Sequence, residues 1–432
     1  MPQRADTKGA VFMEPQVAVV DAFKTTYRFA DAFTALGAGV IQVQSTPRLL
    51  PGVPPVDPSK FTHYLVNDGD LDRLLDELAD LKPRAVLPAR ESGVELADEL
   101  SERLGLPSNG TALSRARRDK YLQIERLKAQ GVPAMRQLRT DDEAELRAWH
   151  ETLAGTAVVK PLRSVGGEGV TFCDSPDESA AALSSLLHRG NVLGERNTHV
   201  VAQEYLVGAE YIVNTVSCDG LHHVTDVWST DRITANAVRD LVVAQVLLRS
   251  DDPTVHKLVP YAHRVLDALG IRYGAAHLEI KLTPDGPRLI EAGARPSGLP
   301  YYVAEAVGEG QFEWSADAYL RPERFRARAG EDYRRRSAFA WAALASPVSG
   351  RLVRYRALDE VRRLESFRDM TLQVRPGDRI VPTTWDMEYP ATLTFSHPVE
   401  AVLRRDLNTL RFLDGTGMYE VQEDPGPSPE RV

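Results

Sequence analysis

The sequence predicts an α/β chain that turns α+β further along, with a doubly wound parallel sheet first and a C-terminal α+β part last. Three observations carry this. Val-rich runs alternate with amphipathic helical stretches over the first quarter of the chain, the βαβ pattern of a parallel sheet. Residues 275–295, AAHLEIKLTPDGPRLIEAGAR, place two alternating segments around turn residues, as a β-hairpin does. Residues 157–172, AVVKPLRSVGGEGVTF, join two strand-like runs through a Gly-rich stretch.

Taken in order, QVAVVDAF (16–23) reads as a buried strand. Phe29, Phe33 and Leu36 then share a helical face, and Gly37 ends that helix. GVIQVQS (39–45) is a second strand, the stripe of Leu71, Leu74, Leu75 and Leu78 a second helix, and RAVLPA the next strand. SGVELADELSERL (92–104) is an amphipathic helix with Ser92 as N-cap, stopped by Gly105 with Pro107 just beyond. From about 113 a new unit opens with the helix RRDKYLQIERLKAQGVP, which carries Leu122, Ile124 and Leu127 and ends at Gly131 and Pro133. TAVVKP, HVVAQEY and EYIVNTVS are strands, with a helix over 178–187 between the first two and another over 253–270. Beyond about 330, RIVPTTW reads as a strand and 398–410 as a helix, while the Pro-rich tail DPGPSPERV is expected to be disordered. The expected domains are 1–112, 113–325 and 326–432, without internal repeats.

Composition narrows the function. At roughly 150 residues per domain, 432 residues give two to three domains, and 52 basic against 61 acidic side chains leave a net charge of -9. That balance speaks against a dedicated nucleic-acid binder. Two cysteines, Cys173 and Cys218, supply neither a disulfide framework nor a four-thiolate zinc site, which fits a reducing cytoplasm. No apolar stretch reaches the roughly 18 residues of a membrane span, and the N-terminus lacks the apolar core of a secretory signal.

The hairpin carries the strongest chemistry. With Asp285 as its centre, Glu279 and Glu291 lie opposite each other, each six residues away. His277, Lys281 and Arg295 share their polar face, and Leu278, Ile280, Leu282, Ile290, Ala292 and Ala294 form the apolar one. Like charges directly opposite on paired strands repel. A hard divalent cation shared with substrate phosphates would compensate them, as magnesium does. The alternative is a face wetted by solvent, with Lys281 and Arg295 neutralising the glutamates.

Two further segments are weaker signals. Lys160 precedes a loop of Ser164, Gly166, Gly167 and Gly169 whose backbone N–H groups can wrap an anion, although the spacing is neither a P-loop nor a Rossmann fingerprint. In VVAQEYLVGAEYIVN, Glu204, Tyr205, Leu206 and Gly208 join two strands, where backbone groups can meet a flat heterocycle and Glu210 vicinal hydroxyls. A flexible turn and a plain linker are the simpler readings of these two.

In order and spacing, Lys120 in RRDK, Lys160 before the Gly-rich loop, the EYLVGAEY hinge, and HLEIKL paired with LIEAGAR resemble the ATP-grasp superfamily of ligases. The resemblance runs from about Ala112 to Leu320, and the helix and GLPSN before it look like the domain preceding the grasp fold. IEAGARPSG and TDVW look most like bacterial L-amino-acid ligases that make dipeptides. The resemblance implies that Lys120 and Lys160 contact ATP phosphates beneath the loop Ser164 to Gly169, and that Glu204, Tyr205 and Leu206 meet adenine and Glu210 the ribose. It implies that Glu279 and Glu291 hold magnesium, two ions with manganese as a substitute, although Gly293 stands where the superfamily often has a ligating asparagine. Asp226, Trp228, Arg232, Arg295, Ser297, Gly298 and Leu299 would line the substrate side, with Trp228 alternatively a core aromatic. The partners implied are small amino-acid substrates and a second copy of the chain, with no nucleic acid and no membrane.

The implied reaction begins with transfer of the ATP γ-phosphoryl group to an amino-acid carboxylate. The amine of a second amino acid then attacks the acyl phosphate, giving an α- or γ-linked dipeptide, ADP and phosphate. Lys160 would offset charge on the transferring group, and Arg295 would stabilise the tetrahedral oxyanion. A lid of about 153–208 would exclude water. The competing expectations are a grasp enzyme with a thiol, bicarbonate or larger peptide as acceptor, and a non-catalytic ATP-binding module.

Overall fold

The computed structural model describes residues 14–49, 53–164, 166–191, 193–298, 303–386 and 388–422. The tail expected to be disordered, 424–432, lies outside them. Strands β1 (Gln16–Val20), β2 (Gly39–Gln44), β3 (His63–Val66) and β4 (Pro83–Pro88) form a parallel sheet in the order β3-β2-β1-β4. Helix α1 (Arg28–Thr34) covers one face with Phe29 and Phe33. Helices α2 (Leu71–Leu81) and α3 (Val94–Arg103) cover the other with Leu74, Leu78, Ala97 and Leu100. Burial on both faces explains why these strands are nearly continuous apolar runs. Ser92 does not cap α3 as expected. It lies in a short 3₁₀ turn, and its hydroxyl donates to Asp21 Oδ2 at 2.5 Å. The same buried carboxylate accepts the Ser45 N–H and hydroxyl at 2.8 and 2.6 Å, so it ties together the segments that follow three strands.

The next unit contains α4 (Lys120–Ala129), β5 (Gln137–Thr140), α5 (Glu143–Glu151), β6 (Ala157–Pro161), β7 (Thr171–Cys173), α6 (Pro176–Leu186) and β8 (Val200–Glu204). Its four strands form an antiparallel sheet, β5-β8-β6-β7, packed on α5 and α6 through Leu146, Leu183, Val159 and Val200. A second sheet is built from β9 (Ala209–Cys218), β10 (Leu221–Ala235), β11 (Val238–Leu247), β12 (Gly274–Thr283) and β13 (Gly286–Gly293). Helix α7 (Pro253–Ala268) and α4 cover it, burying Leu258, Val265, Ile124 and Leu127 against Val213, Leu278 and Ile280. Helices α8 (Val303–Val307), α9 (Gln311–Leu320) and α10 (Pro322–Arg328) follow. Phe312 of α9 meets Phe29 of α1 edge-on, with ring centroids 4.8 Å apart, so the first domain packs onto this unit.

The C-terminal part comprises β14 (Ala338–Ala343), β15 (Gly350–Tyr355), α11 (Leu358–Arg362), β16 (Phe367–Leu372), β17 (Arg379–Ile380), β18 (Ala391–His397), α12 (Glu400–Leu413) and β19 (Tyr419–Gln422). It does not form a sheet apart. Strand β14 pairs with β11, Gln245 opposite Trp341, giving one eight-stranded sheet, β13-β12-β9-β10-β11-β14-β18-β16, that runs across the expected boundary near 325. A small sheet, β17-β15-β19, completes this part. Of RIVPTTW only Arg379 and Ile380 are strand, and Pro382 has no N–H with which to extend the ladder.

The first domain and the grasp unit are joined by a buried ion pair. Arg117 Nη2 and Nε lie 2.9 and 3.2 Å from Asp98 Oδ2, which also accepts the Ser114 hydroxyl at 2.6 Å. Arg117 Nη1 donates to the Leu269 carbonyl at 3.1 Å, at the end of α7. Removing the carboxylate strands a fully buried guanidinium. Asp98→Ala is expected to lower the unfolding free energy by about 3–5 kcal/mol, read by urea denaturation; a loss within experimental error would show that this pair does not hold the junction.

Candidate active site

The hairpin β12–β13 sets the site. Its turn pairs Thr283 with Gly286, and the register continues through Ile280 opposite Leu289. A bulge then shifts the ladder by one, so Glu279 faces Glu291. The opposition is as expected, but the bulge is what produces it. One residue of the expected apolar face changes sides: Leu289 is fully buried in the core, whereas Ile290 lines the cleft.

The two cations expected to neutralise the glutamates pair elsewhere. Lys281 Nζ lies 3.2 Å from Asp240 Oδ2 and 4.5 Å from the centroid of the Tyr205 ring. Arg295 Nε lies 3.3 Å from Glu91 Oε2, and its Nη1 donates to the Pro296 carbonyl at 3.1 Å. Glu291 instead accepts Lys120 Nζ at 3.0 Å, and His277 Nε2 lies 3.5 Å from Glu279 Oε1. Burial, the largest influence on Glu279, pushes its carboxyl up, but the His277 hydrogen bond and the charges of His277, Arg232 and Arg295 bring it down to about 2.

Lys120 is the first residue of α4, whose start is capped by Asp119 accepting the N–H groups of Tyr121 and Leu122 at 3.0 Å each. Its ammonium also donates to the Ser164 carbonyl at 3.0 Å. Lys160 arrives from the facing sheet on β6, buried; desolvation and the nearby Lys120 charge lower it to about 8, against the pull of Glu291, Glu279 and Glu210. Gly166, Gly167 and Gly169 adopt φ of 65°, 76° and 69°, a left-handed path that side chains disfavour. Gly166, Gly167 and Ser164 border the cleft beside the lysines.

The cleft lies between the two sheets and encloses about 1230 Å³, open mouth included. One end is apolar, with Met135, Val158, Phe172, Leu206, Ile212 and Ile290. The strap after β8 runs along it. Glu204 accepts the Arg136 N–H at 2.8 Å, and Phe172 meets Tyr205 edge-on, ring centroids 5.8 Å apart. Gly208 is required in this strap, because a Cβ there would collide with the Leu282 carbonyl. Glu210 is buried and ion-paired with Arg232; burial pushes its carboxyl up although Arg232 opposes this. Arg232, expected on the substrate side, therefore stands in this cleft. The C-terminal part adds Thr384, Trp385 and Asp386 to the wall, residues that no motif marks. Tyr389 Oη lies 2.8 Å from Asp386 Oδ1, and burial lifts that carboxyl to about 6.

Beyond the glutamates, Glu91 at the end of the first domain bridges Arg295 and Arg118, the latter at 3.2 Å. Gly293 is crowded by this bridge: a Cβ there would come within 3.1 Å of Arg295 Cζ and 3.2 Å of Glu91 Oε2. A second, small pocket of about 360 Å³ is bordered by Arg28, Asn214, Asp226, Ser297, Gln311 and Glu313. Arg28 and Glu313 pair at 3.0 Å across it, and the Ser297 N–H donates to Gln311 Oε1 at 2.7 Å. Trp228 lines neither space. It is a core aromatic that packs edge-on against Phe339 and donates its indole N–H to Asp226 at 2.5 Å. Gly298 is exposed, and Leu299 lies outside the described residues.

As a cation site, Glu279 and Glu291 offer hard oxygens facing the cleft, the donor type magnesium takes. Among the described residues no cluster of three or more His, Cys, Asp or Glu side chains is placed to hold a metal. Two carboxylates fit an ion that completes its shell from phosphate and water, not one caged by protein alone. No helix among the described residues is long and apolar enough to cross a membrane.

Comparison with known proteins identifies the family and the fold. The family described as ATP-grasp domain matches residues 154–299. Dapdiamide A synthase of Enterobacter agglomerans is 31% identical over 408 residues, covering 91% of this chain and 95% of that protein. The crystal structure of an L-amino acid ligase from Bacillus licheniformis superposes with a TM-score of 0.72 at 20% identity, over 95% of this chain and 99% of that one. N5-carboxyaminoimidazole ribonucleotide synthetase from Thermotoga maritima superposes at 0.64 and 16% identity, over 95% and 100%. The chain belongs to the ATP-grasp carboxylate–amine ligases.

Proposed function

We propose that the protein joins two amino acids, activating the carboxylate of one as an acyl phosphate at the expense of ATP and coupling it to the amine of the other. The observation that carries this is the meeting of Glu279 and Glu291 with Lys120 and Lys160 in one cleft, with a small pocket bearing both charge signs nearby. The kinship with dapdiamide A synthase and the fold shared with an L-amino acid ligase support it.

Adenine lies in the apolar end against Leu206 and Ile290, beside the strap of Glu204 and Tyr205. Lys120 and Lys160 hold the phosphates beneath the glycine loop. Glu279 and Glu291 would hold a divalent cation, which would supply charge neutralisation at the transferring phosphoryl group. The acyl substrate occupies the small pocket, where Arg28 suits a carboxylate and Glu313 an ammonium. Arg295, freed from Glu91 or sharing it, faces the acyl carbon and stabilises the oxyanion formed when the amine attacks. Loss of phosphate completes the amide, and the sheet carrying Lys160 closes over the cleft to keep water from the acyl phosphate.

Phosphate release from ATP and magnesium with pools of amino acids tests the reading; release only with bicarbonate or only with a thiol would sink it. Arg295→Ala is expected to bind ATP like the parent while amide formation falls by about 100-fold or more, and equal turnover would remove Arg295 from the chemistry. Lys160 gives a pH signature. Its ammonium is charged below about 8 and neutral above, so nucleotide affinity should fall as pH rises through that value. Lys160→Arg, charged throughout, should flatten the decline; a parent profile already flat from pH ~7 to ~9 would contradict the assignment.

A further inference from the structure

Behind Glu279 runs a line of buried polar side chains that no step above uses. His277 lies two residues back on β12, and its Nδ1 is 2.8 Å from Oδ1 of Asn214, its register partner on β9. Asn214 Nδ2 donates to Asp226 Oδ1 at 2.5 Å on β10, where a bulge places Asp226 opposite Asn214. Asp226 also accepts the Trp228 indole N–H at 2.5 Å and the Thr225 hydroxyl at 2.8 Å. His277, Asn214 and Asp226 are exposed by only 8%, 1% and 1%.

The chemistry of each group fixes the direction of the line. An indole N–H only donates, so the Asp226 oxygen it meets is an acceptor. The Asn214 amide must therefore turn its NH2 to Asp226 and its carbonyl to His277. Nδ1 of His277 then carries a hydrogen and the ring is held with Nε2 toward Glu279, 3.5 Å from Oε1; Nε2 grips that oxygen with a second hydrogen, both ring nitrogens donating as in the imidazolium. A buried carboxylate with three donors is satisfied, so the anchor is stiff.

We propose that His277, anchored by Asn214 and Asp226, is a positioning residue that holds one oxygen of Glu279 and so leaves the other aimed at the cation. This rests on the reading of Glu279 as a cation ligand. Partners behind a ligating carboxylate set its orientation, and their loss typically weakens metal binding by roughly 10- to 100-fold.

The test uses the full-length protein with magnesium and a non-hydrolysable ATP analogue. In protein labelled with ¹⁵N-histidine, the His277 ring signals are identified by their absence from His277→Gln, and they should move as magnesium is titrated in. Calorimetry should show that His277→Ala needs roughly ten-fold or more magnesium for half-maximal analogue binding, with partial recovery in His277→Gln, whose amide still donates. A folded His277→Ala with the parent's magnesium requirement overturns the proposal. Should that variant not fold, His277 signals that stay fixed at saturation in the parent overturn it equally. If the parent binds no magnesium–nucleotide, the cation reading falls and the positioning role with it; if it binds and the signals stay fixed, the positioning role alone falls.

Discussion

Two carboxylates facing each other across a hairpin are the constraint that organises this molecule. Antiparallel pairing brings Glu279 and Glu291 together, and their repulsion has to be met by charges delivered from elsewhere in the chain. Lys120 arrives at the capped start of a helix, Lys160 on an inner strand of the facing sheet, and His277 on the strand of Glu279 itself. Burial first, and repulsion from Lys120 second, lower Lys160 to about 8. Two ammonium groups thus stand against two carboxylates in one cleft, so the opposing charges offset one another.

Much of this arrangement was legible in the sequence, and the misses have physical causes. The opposition of the two glutamates followed from counting around Asp285, yet the turn pairs Thr283 with Gly286 and a bulge restores the register. Residue types do not announce a bulge, so Ile290 was placed on the wrong face. Lys281 and Arg295 were correctly set on the polar side, but strand alternation says nothing about Asp240 or Glu91, which come from distant segments and claim them. Trp228 shows the opposite limit: a motif-like neighbour of Asp226 proves to be core, its indole serving a buried carboxylate. Thr384, Trp385 and Asp386 were invisible because they belong to an irregular stretch after a two-residue strand.

The first domain is more than a neighbour. Asp21, Ser45 and Ser92 follow three of its parallel strands, and Glu91, beside Ser92, reaches Arg118 and Arg295. The C-terminal edge of an open parallel sheet is where such folds present functional groups, and here that edge supplies a carboxylate to Arg295. The same bridge crowds Gly293, where a Cβ would lie 3.1 Å from Arg295 Cζ and 3.2 Å from Glu91 Oε2 and both side chains would have to give slightly.

The unbroken eight-stranded sheet bears on how the protein can be divided. Cutting the chain near 325 would leave the backbone of β11 from Ala244 to Val246 without its partner strand, an open border along which strands of separate molecules can pair. It would also take away the cleft wall formed by Trp385 and Asp386. The cleft and the pairing of the sheet therefore share one boundary, and a shortened version ending near 325 would lose part of both.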